Sequence, residues 1–403
     1  MGYQAKLAAR GAAGAGRFEL LFRILERTQY GRLRVILPDG RTRDFAGREP
    51  GPAAEIEFRH PRALWRLLVN GANGFADAYL AGEFETPDLA ALLELGVRNE
   101  AAWGALAGSN SLLGALQRLS HVLRPNSRRG ARRNISQHYD LGNAFYSAWL
   151  DPSLTYSSAV FDGQDQPLEA AQHNKYATLA ALGGVKPGDH VLEIGCGWGG
   201  FALYAARQLK CRVTGITISR EQFEHARARV AAEGMEDQVE IRFQDYRDTQ
   251  GHFDRIVSIE MFEAVGERYW SPFFRKLGEV LKPGGTAALQ VITIAEEAWP
   301  SYRRSADFIQ RHIFPGGLLP PRQALIDNAR RAGLSWLQDR GYGAHYARTL
   351  ALWHQRFCEA WPEVAPLGFD ERFRRMWRYY LAYCEAGFRS GRIDLLQMAL
   401  QRR

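Results

Sequence analysis

The stretch Val191-Leu-Glu-Ile-Gly-Cys-Gly-Trp-Gly-Gly200 decides the fold. A short apolar run carrying Glu193 leads into Gly195, Gly197, Gly199 and Gly200, and an apolar helical pattern, Phe201 to Leu209, follows. That order predicts a buried strand, a tight turn and a helix start. Glycines there let the backbone turn sharply and come close to a ligand. The spacing Gly-x-Gly-x-Gly-Gly is not the Gly-x-Gly-x-x-Gly of a dinucleotide site, and no Lys-Ser/Thr follows to hold a phosphate. An acid before the turn and no phosphate grip suit a nucleoside lacking a pyrophosphate, of which S-adenosylmethionine is the common one. Glu193, Gly195, Gly197, Trp198 and Gly199 are therefore candidate cofactor contacts.

Strand and helix patterns alternate outward from this turn. Strands are predicted at His190–Ile194, Arg212–Ile216, Val239–Gln244, Arg255–Ile259 and Thr286–Thr293, with helices between them. Leu281-Lys-Pro-Gly-Gly285 reads as a helix end followed by a glycine turn. The alternation implies a doubly wound, mostly parallel α/β sheet whose ligands gather at the carboxyl ends of the strands. After the second strand, Thr217, Ser219 and Gln222 stand where such folds hold ribose hydroxyls. After the third, Asp245 can accept from an adenine amino group and Tyr246 can stack on the ring; Asp245 also suits a helix cap.

Upstream, Arg32–Leu37, Arg41–Phe45 and Glu55–Phe58 alternate as strands do, with a turn at Pro38-Asp-Gly40. Residues 61–70 and 73–80 look helical, and Thr86 suits the N-cap of another helix with Pro87 in its first turn. This is a small α/β domain. The expected organisation is a domain over 1–120, a basic linker over 121–136 and a catalytic domain over 137–403. The tail, 349–401, reads as helical and rich in aromatics.

The chain has 403 residues, 46% of them apolar, enough for two cores. No apolar run reaches the roughly 18 residues that a membrane span needs. Its four cysteines, Cys196, Cys211, Cys358 and Cys384, show no Cys-x-x-Cys spacing. They suit a reducing cytoplasm and offer neither a zinc site nor a disulfide framework. The net charge of +8, mostly arginine, favours anionic partners. The densest basic run is Arg124, Arg128, Arg129, Arg132 and Arg133.

Further motifs carry a resemblance. Gln137-His-Tyr-Asp-Leu-Gly-Asn143, Trp149-Leu-Asp-Pro152 and Leu154-Thr-Tyr-Ser-Ser158 precede the glycine turn. Gly215-Ile-Thr-Ile-Ser219, Met261-Phe-Glu-Ala-Val-Gly266 and Ile313-Phe-Pro-Gly-Gly317 follow it. Over residues 134 to 397 the chain resembles the cyclopropane-fatty-acyl-phospholipid synthase family, including the mycolic-acid cyclopropane synthases. The resemblance implies a Rossmann-like class I methyltransferase sheet with a helical C-terminal elaboration. More weakly, it implies a lipid-carrier-like N-terminal domain, in which Tyr79-Leu-Ala-Gly-Glu-Phe84 forms a short helix turn.

It also implies the chemistry. A methyl cation passes from S-adenosylmethionine to a double bond within a phospholipid acyl chain. The resulting carbocation sits among aromatic faces, and a base removes a proton so that the ring closes. In the family a bound bicarbonate is thought to be that base, held by a Glu, a His, a Tyr and backbone near a Cys. Glu263 and Tyr346 match the Glu and the Tyr, Cys384 matches a second active-site Cys, and Tyr156 and Ser157 match cofactor contacts. His138 is a candidate lining residue. Three positions depart: the family's Tyr-Ser-Cys ends in Ser158, the expected His is Gln290, and Ala264 follows the key Glu where many members have His. Gln can donate a hydrogen bond to bicarbonate but cannot take a proton. The departures leave a cyclopropane product and a methylene- or methyl-branched one open, with ring closure slightly favoured by Glu263 and Tyr346.

The partners so implied are an unsaturated phospholipid and an anionic membrane surface, met peripherally at the inner face of the cell membrane by the arginine linker and N-terminal domain. A homodimer is compatible with the sequence. A nucleic-acid methyltransferase is the competing reading of the arginine excess, but no Asn/Asp-Pro-Pro-Tyr/Phe motif appears. A lipid-binding protein with a decayed catalytic core is the other competitor.

Overall fold

The computed structural model describes residues 18–104 and 141–403. His138 and the arginine linker lie outside the described residues. The chain forms two compact units. The first contains the described residues up to 104 together with Phe369–Ser390, and the second contains those up to Gly368 plus Gly391–Arg403.

In the first unit, strands β1 (Tyr30–Ile36), β2 (Thr42–Ala46), β3 (Glu49–Phe58) and β4 (Phe84–Glu85) form a sheet ordered β2-β1-β3-β4. Alternation along β1 buries Leu33 and Val35 while Arg32 and Arg34 face water. The helix Arg62–Leu80 breaks at Gly71, whose φ of 54° and ψ of −137° no helix accommodates, so the two expected helical segments form one kinked element. Asp88, not Thr86, caps the next helix, Leu89–Arg98, by accepting from the Ala91 N–H at 2.9 Å. Thr86 lies two residues too early and bonds the Asp88 carbonyl instead.

The helix Glu371–Arg389 belongs to this unit, not to the catalytic domain assigned to it from sequence. Its Arg375 is buried and explains the attachment. The guanidinium donates to the Tyr79 carbonyl at 2.6 Å and the Phe84 carbonyl at 3.2 Å, pairs with Glu85 at 2.7 Å, and lies 4.3 Å from the Tyr79 ring centre. Tyr379 packs against Tyr79 with centroids 5.7 Å apart.

In the second unit, β5 (His190–Ile194), β6 (Arg212–Thr217), β7 (Val239–Phe243), β8 (Phe253–Ile259) and β9 (Leu281–Ile294) run parallel. Strand β11 (Ile393–Arg402) lies antiparallel between β9 and β10 (Leu334–Gly341), giving the order β10-β11-β9-β8-β5-β6-β7. The end of the tail is thus a strand, not a helix. Leu395, Leu396, Met398, Ala399 and Leu400 are buried on both faces, as a central strand requires. Residues 281–285 open β9 directly after the helix Trp270–Val280.

Helices cover both faces of this sheet. Helices Leu168–Leu182, Gly200–Leu209 and Arg220–Ala232 pack on the face of Val191, Val257 and Ala288. Helices Trp270–Val280 and Arg322–Arg331 pack on the face of Leu192, Ile256 and Leu289. None of the described helices is long and apolar enough to cross a membrane.

Arg375→Met keeps the side-chain volume but removes the buried guanidinium from the Tyr79 and Phe84 carbonyls and from Glu85, leaving the Gly82 N–H on the first and Arg59 on the last. Equilibrium urea unfolding should show a loss of about 3 kcal/mol in the first unit, the size expected for breaking a buried, hydrogen-bonded charge. A loss below about 1 kcal/mol would mean that the aromatic contacts alone hold the helix.

Candidate active site

The carboxyl ends of β5, β6, β8 and β9 bring polar groups to one edge of the sheet. At the end of β5, Gly195, Gly197 and Gly199 take φ of 82°, 52° and 86°, which side chains resist. A Cβ on Gly195 would lie 2.8 Å from the Met261 side chain. Glu193 is buried just before the turn, and its Oε2 has no hydrogen-bond partner among the described residues. Burial pushes its carboxyl well above the ordinary range. A bare backbone cradle beside an unspent buried acceptor fits a nucleoside ligand such as S-adenosylmethionine. Trp198 donates from its indole nitrogen to Asn143 Oδ1 at 2.7 Å, fixing the far side of the turn.

The groups expected on the ribose and the base are largely engaged within the chain. Thr217 Oγ1 donates to Gln222 Oε1 at 2.9 Å, and Ser219 caps the helix Arg220–Ala232 by accepting from the Gln222 N–H. Asp245 caps the turn Tyr246–Asp248 and pairs with Arg247 at 2.7 Å, the cap role that its position also allowed. Tyr246 meets Phe273 edge-on at 5.3 Å.

Tyr156 sits among Tyr146, Trp149 and Trp353 with centroids 5.3–5.7 Å away. Ser157 accepts from Lys175 Nζ at 2.6 Å. Lys175 is fully buried, and burial pulls its ammonium down to about 7, opposed by the charges of Glu260, Asp151 and Glu193. Sequence reading passed over Lys175. Leu168, Ala171, Gln172, Lys175, Tyr176 and Leu179 recur at helical spacing, however, which puts this lysine on a buried face.

The largest omission is Glu260, the residue after β8. Its Oε1 accepts from the Ser158 backbone N–H at 2.9 Å and from Gln290 Nε2 at 2.8 Å, and its Oε2 accepts from the Tyr346 hydroxyl at 2.6 Å. Gln290 is buried and its own oxygen accepts from Gln397 at 2.8 Å. Burial pushes the Glu260 carboxyl up, while Tyr346, Gln290, Lys175 and the Ser158 N–H pull it back toward the ionised form. Its backbone takes φ 50°, the left-handed region, where most L-residues are strained. The position at the end of a parallel strand was the available signal.

Ser158, Gln290 and Tyr346 therefore do come together, but around a side chain of the protein itself. The bicarbonate implied by the resemblance does not fit: these donors are already taken up by the Glu260 carboxylate. Glu263 stands one turn away, where its Oε1 accepts from the Ile292 N–H and its Oε2 is buried without a hydrogen-bond partner among the described residues. The Leu318 N–H, just past Ile313-Phe-Pro-Gly-Gly317, holds the Glu263 carbonyl at 2.9 Å. Burial, then the neighbouring charge of Glu260, pushes the Glu263 carboxyl up to about 8, so it is neutral at pH 7. Cys384 lies on the helix Glu371–Arg389 of the first unit.

Residues 126–398 match the family model described as mycolic acid cyclopropane synthetase. The chain belongs to that family. It is 41% identical over 415 residues to tuberculostearic acid methyltransferase UfaA1 of Mycobacterium tuberculosis, covering 98% of this chain and 93% of that protein. It is 35% identical over 359 residues to cyclopropane-fatty-acyl-phospholipid synthase of Escherichia coli, covering 87% and 88%. Among solved structures, mycolic acid cyclopropane synthase CmaA1 complexed with SAH and CTAB matches with a TM-score of 0.64 and 30% identity, over 67% of this chain and 98% of that one. The chain is a methyltransferase of a lipid-modifying family, and S-adenosylmethionine is its cofactor. The nucleic-acid reading is not supported.

The pH dependence of stability follows from Glu263. A carboxyl raised to about 8 in the fold keeps its proton where the unfolded chain, near 4.5, has lost it. Folding then binds a proton, so stability falls as pH rises from about 4.5 to about 8 and is level beyond. Glu263→Gln keeps an acceptor for Ile292 and removes this term. Thermal unfolding of the variant should change less than that of the parent across the window; parallel curves would show that Glu263 is ionised in the fold.

Proposed function

We propose that the chain transfers a methyl group from S-adenosylmethionine to the double bond of an unsaturated acyl chain in a phospholipid, and that the product is a methylene-branched chain. The observation that carries the reading is the cluster of Glu260, Ser158, Gln290 and Tyr346 at the end of β8 and β9, beside the glycine turn after β5. Such a cluster supplies a fixed acceptor for a proton and no mobile nucleophile to capture a cation.

Glu193 and the turn Gly195–Gly199 would hold the cofactor, with Tyr156, Ser157 and Trp198 nearby. The cofactor supplies an electrophilic methyl group. The residues around it exclude water and keep the acyl chain in line, which matters because an alkene is a weak nucleophile. Tyr156, Trp149, Trp353 and Tyr346 form a connected run of rings, with Tyr346 and Trp353 at 6.1 Å, and aromatic faces stabilise positive charge. Four aromatics of the tail, Trp377, Tyr379, Tyr380 and Phe388, are buried in the first unit and are packing. Support for a branched product comes from the protein 41% identical over nearly the whole chain, which is named for tuberculostearic acid. Support for the phospholipid comes from the E. coli relative's name. Glu263, neutral at pH 7, shapes the site as a hydrogen-bonded acid and does not compete for the proton. The first unit and the basic linker would bring the site to an anionic membrane surface, by charge attraction that salt weakens.

Purified protein given S-adenosylmethionine with a trideuterated methyl group and oleoyl phospholipid vesicles tests this. The expected product keeps two of the three deuteriums and shows exocyclic methylene protons by NMR, and mild hydrogenation converts it to a methyl-branched chain. A product that keeps two deuteriums but resists hydrogenation is a cyclopropane and overturns the branched assignment. Retention of all three places the proton loss on the acyl chain itself. No label in lipid overturns the substrate.

A further inference from the structure

We propose that the Glu260 carboxylate is the base of the reaction, built into the chain where the resemblance expects a bound bicarbonate, so that turnover needs no bicarbonate. The inference rests on the methyl-transfer reading above. Its own support is geometric. The Ser158 N–H at 2.9 Å, Gln290 Nε2 at 2.8 Å and the Tyr346 hydroxyl at 2.6 Å converge on one carboxylate, as they would on a small planar anion. With both oxygens accepting, the carboxylate is held in place, and Oε2, which accepts from Tyr346, keeps a lone pair open to a proton.

No other described member of the cluster can do this work. Gln290 donates from its nitrogen and its oxygen accepts from Gln397. The Tyr346 hydroxyl is spent on Glu260. Lys175 points its ammonium at Ser157, and Glu263 holds the Ile292 N–H. Glu260 is also kept at φ 50°, a conformation glycine would take without strain. Retaining a charged side chain at a strained, buried position marks it as doing something that glycine could not.

The step balances as follows. As the S–CH3 bond breaks, the alkene pair forms the new C–C bond and leaves a cation on the neighbouring carbon. A hydride shifts from the methylated carbon to that cation. One methyl C–H then gives its proton to Glu260, and its electron pair becomes the exocyclic C=C. The carboxylic acid so formed returns the proton to water once product leaves.

Glu260→Gly tests this, because it relieves the φ and empties the place of the carboxylate while leaving the three donors. Two readouts are taken on the parent, Glu260→Gly and the isosteric Glu260→Gln: binding of 13C-bicarbonate by NMR, and methyl transfer to oleoyl vesicles in carbon-dioxide-free buffer with and without added bicarbonate. Cofactor affinity, by calorimetry, should be the same in all three and reports intact folding. The parent should bind no bicarbonate and turn over equally with and without it. Glu260→Gly should fall about 10²-fold or more in its absence, the usual weight of a general base, bind 13C-bicarbonate, and recover at least tenfold when it is added. Glu260→Gln should stay inactive, since its amide fills the place. A parent that binds bicarbonate or slows without it overturns the proposal, as does a Glu260→Gly variant that keeps its rate. If the parent methylates no lipid in any buffer, the substrate reading fails, and the binding arm still decides whether Glu260 occupies the anion's place.

Discussion

A carboxylate can be buried at the end of a strand only if the protein replaces the hydrogen bonds that water gave it. The carboxyl edge of this sheet is arranged around that requirement. Glu260 receives donors from three separate segments: the loop that reaches Ser158, strand β9 through Gln290, and the helix Gly343–Glu359 through Tyr346. Each donor is fixed in turn. Gln290 is oriented by Gln397 on β11, so the antiparallel insertion of that strand sets which amide atom faces the acid. A shift of β11 by one residue would turn Gln397 to the other face and free Gln290 to flip.

The neighbouring ionisable groups are sorted by the same logic. Burial pushes the Glu260 carboxyl up, but three donors and the buried Lys175 hold it back toward the charged form. Glu263, with one backbone donor and the charge of Glu260 beside it, is pushed to the neutral form. Two acids three residues apart in sequence thus feel burial differently because their surroundings differ.

Much of this was legible in the sequence. The strand β5, the glycine turn and the parallel order were readable because a buried parallel strand is a short apolar run with no competing pattern, and four glycines in six positions allow few other structures. Strands β10 and β11 were not. Leu334-Ser-Trp-Leu-Gln-Asp-Arg-Gly341 is polar on one face and lies at the sheet edge, and Ile393–Arg402 is apolar on both faces, a pattern that a buried helix segment shares. In the site, family motifs drew attention to Glu263 and away from Glu260, although topology alone places the residue after β8 at the ligand edge.

That late helix has a further consequence. The first unit is not complete until the chain has been made as far as residue 390, because Arg375 and Tyr379 close over Tyr79 and Phe84. A ribosome emitting this chain releases the strands of the first unit long before the segment that seals them. Those strands must therefore wait through the synthesis of nearly the whole second unit with apolar surface uncovered, the condition under which chaperones bind nascent chains.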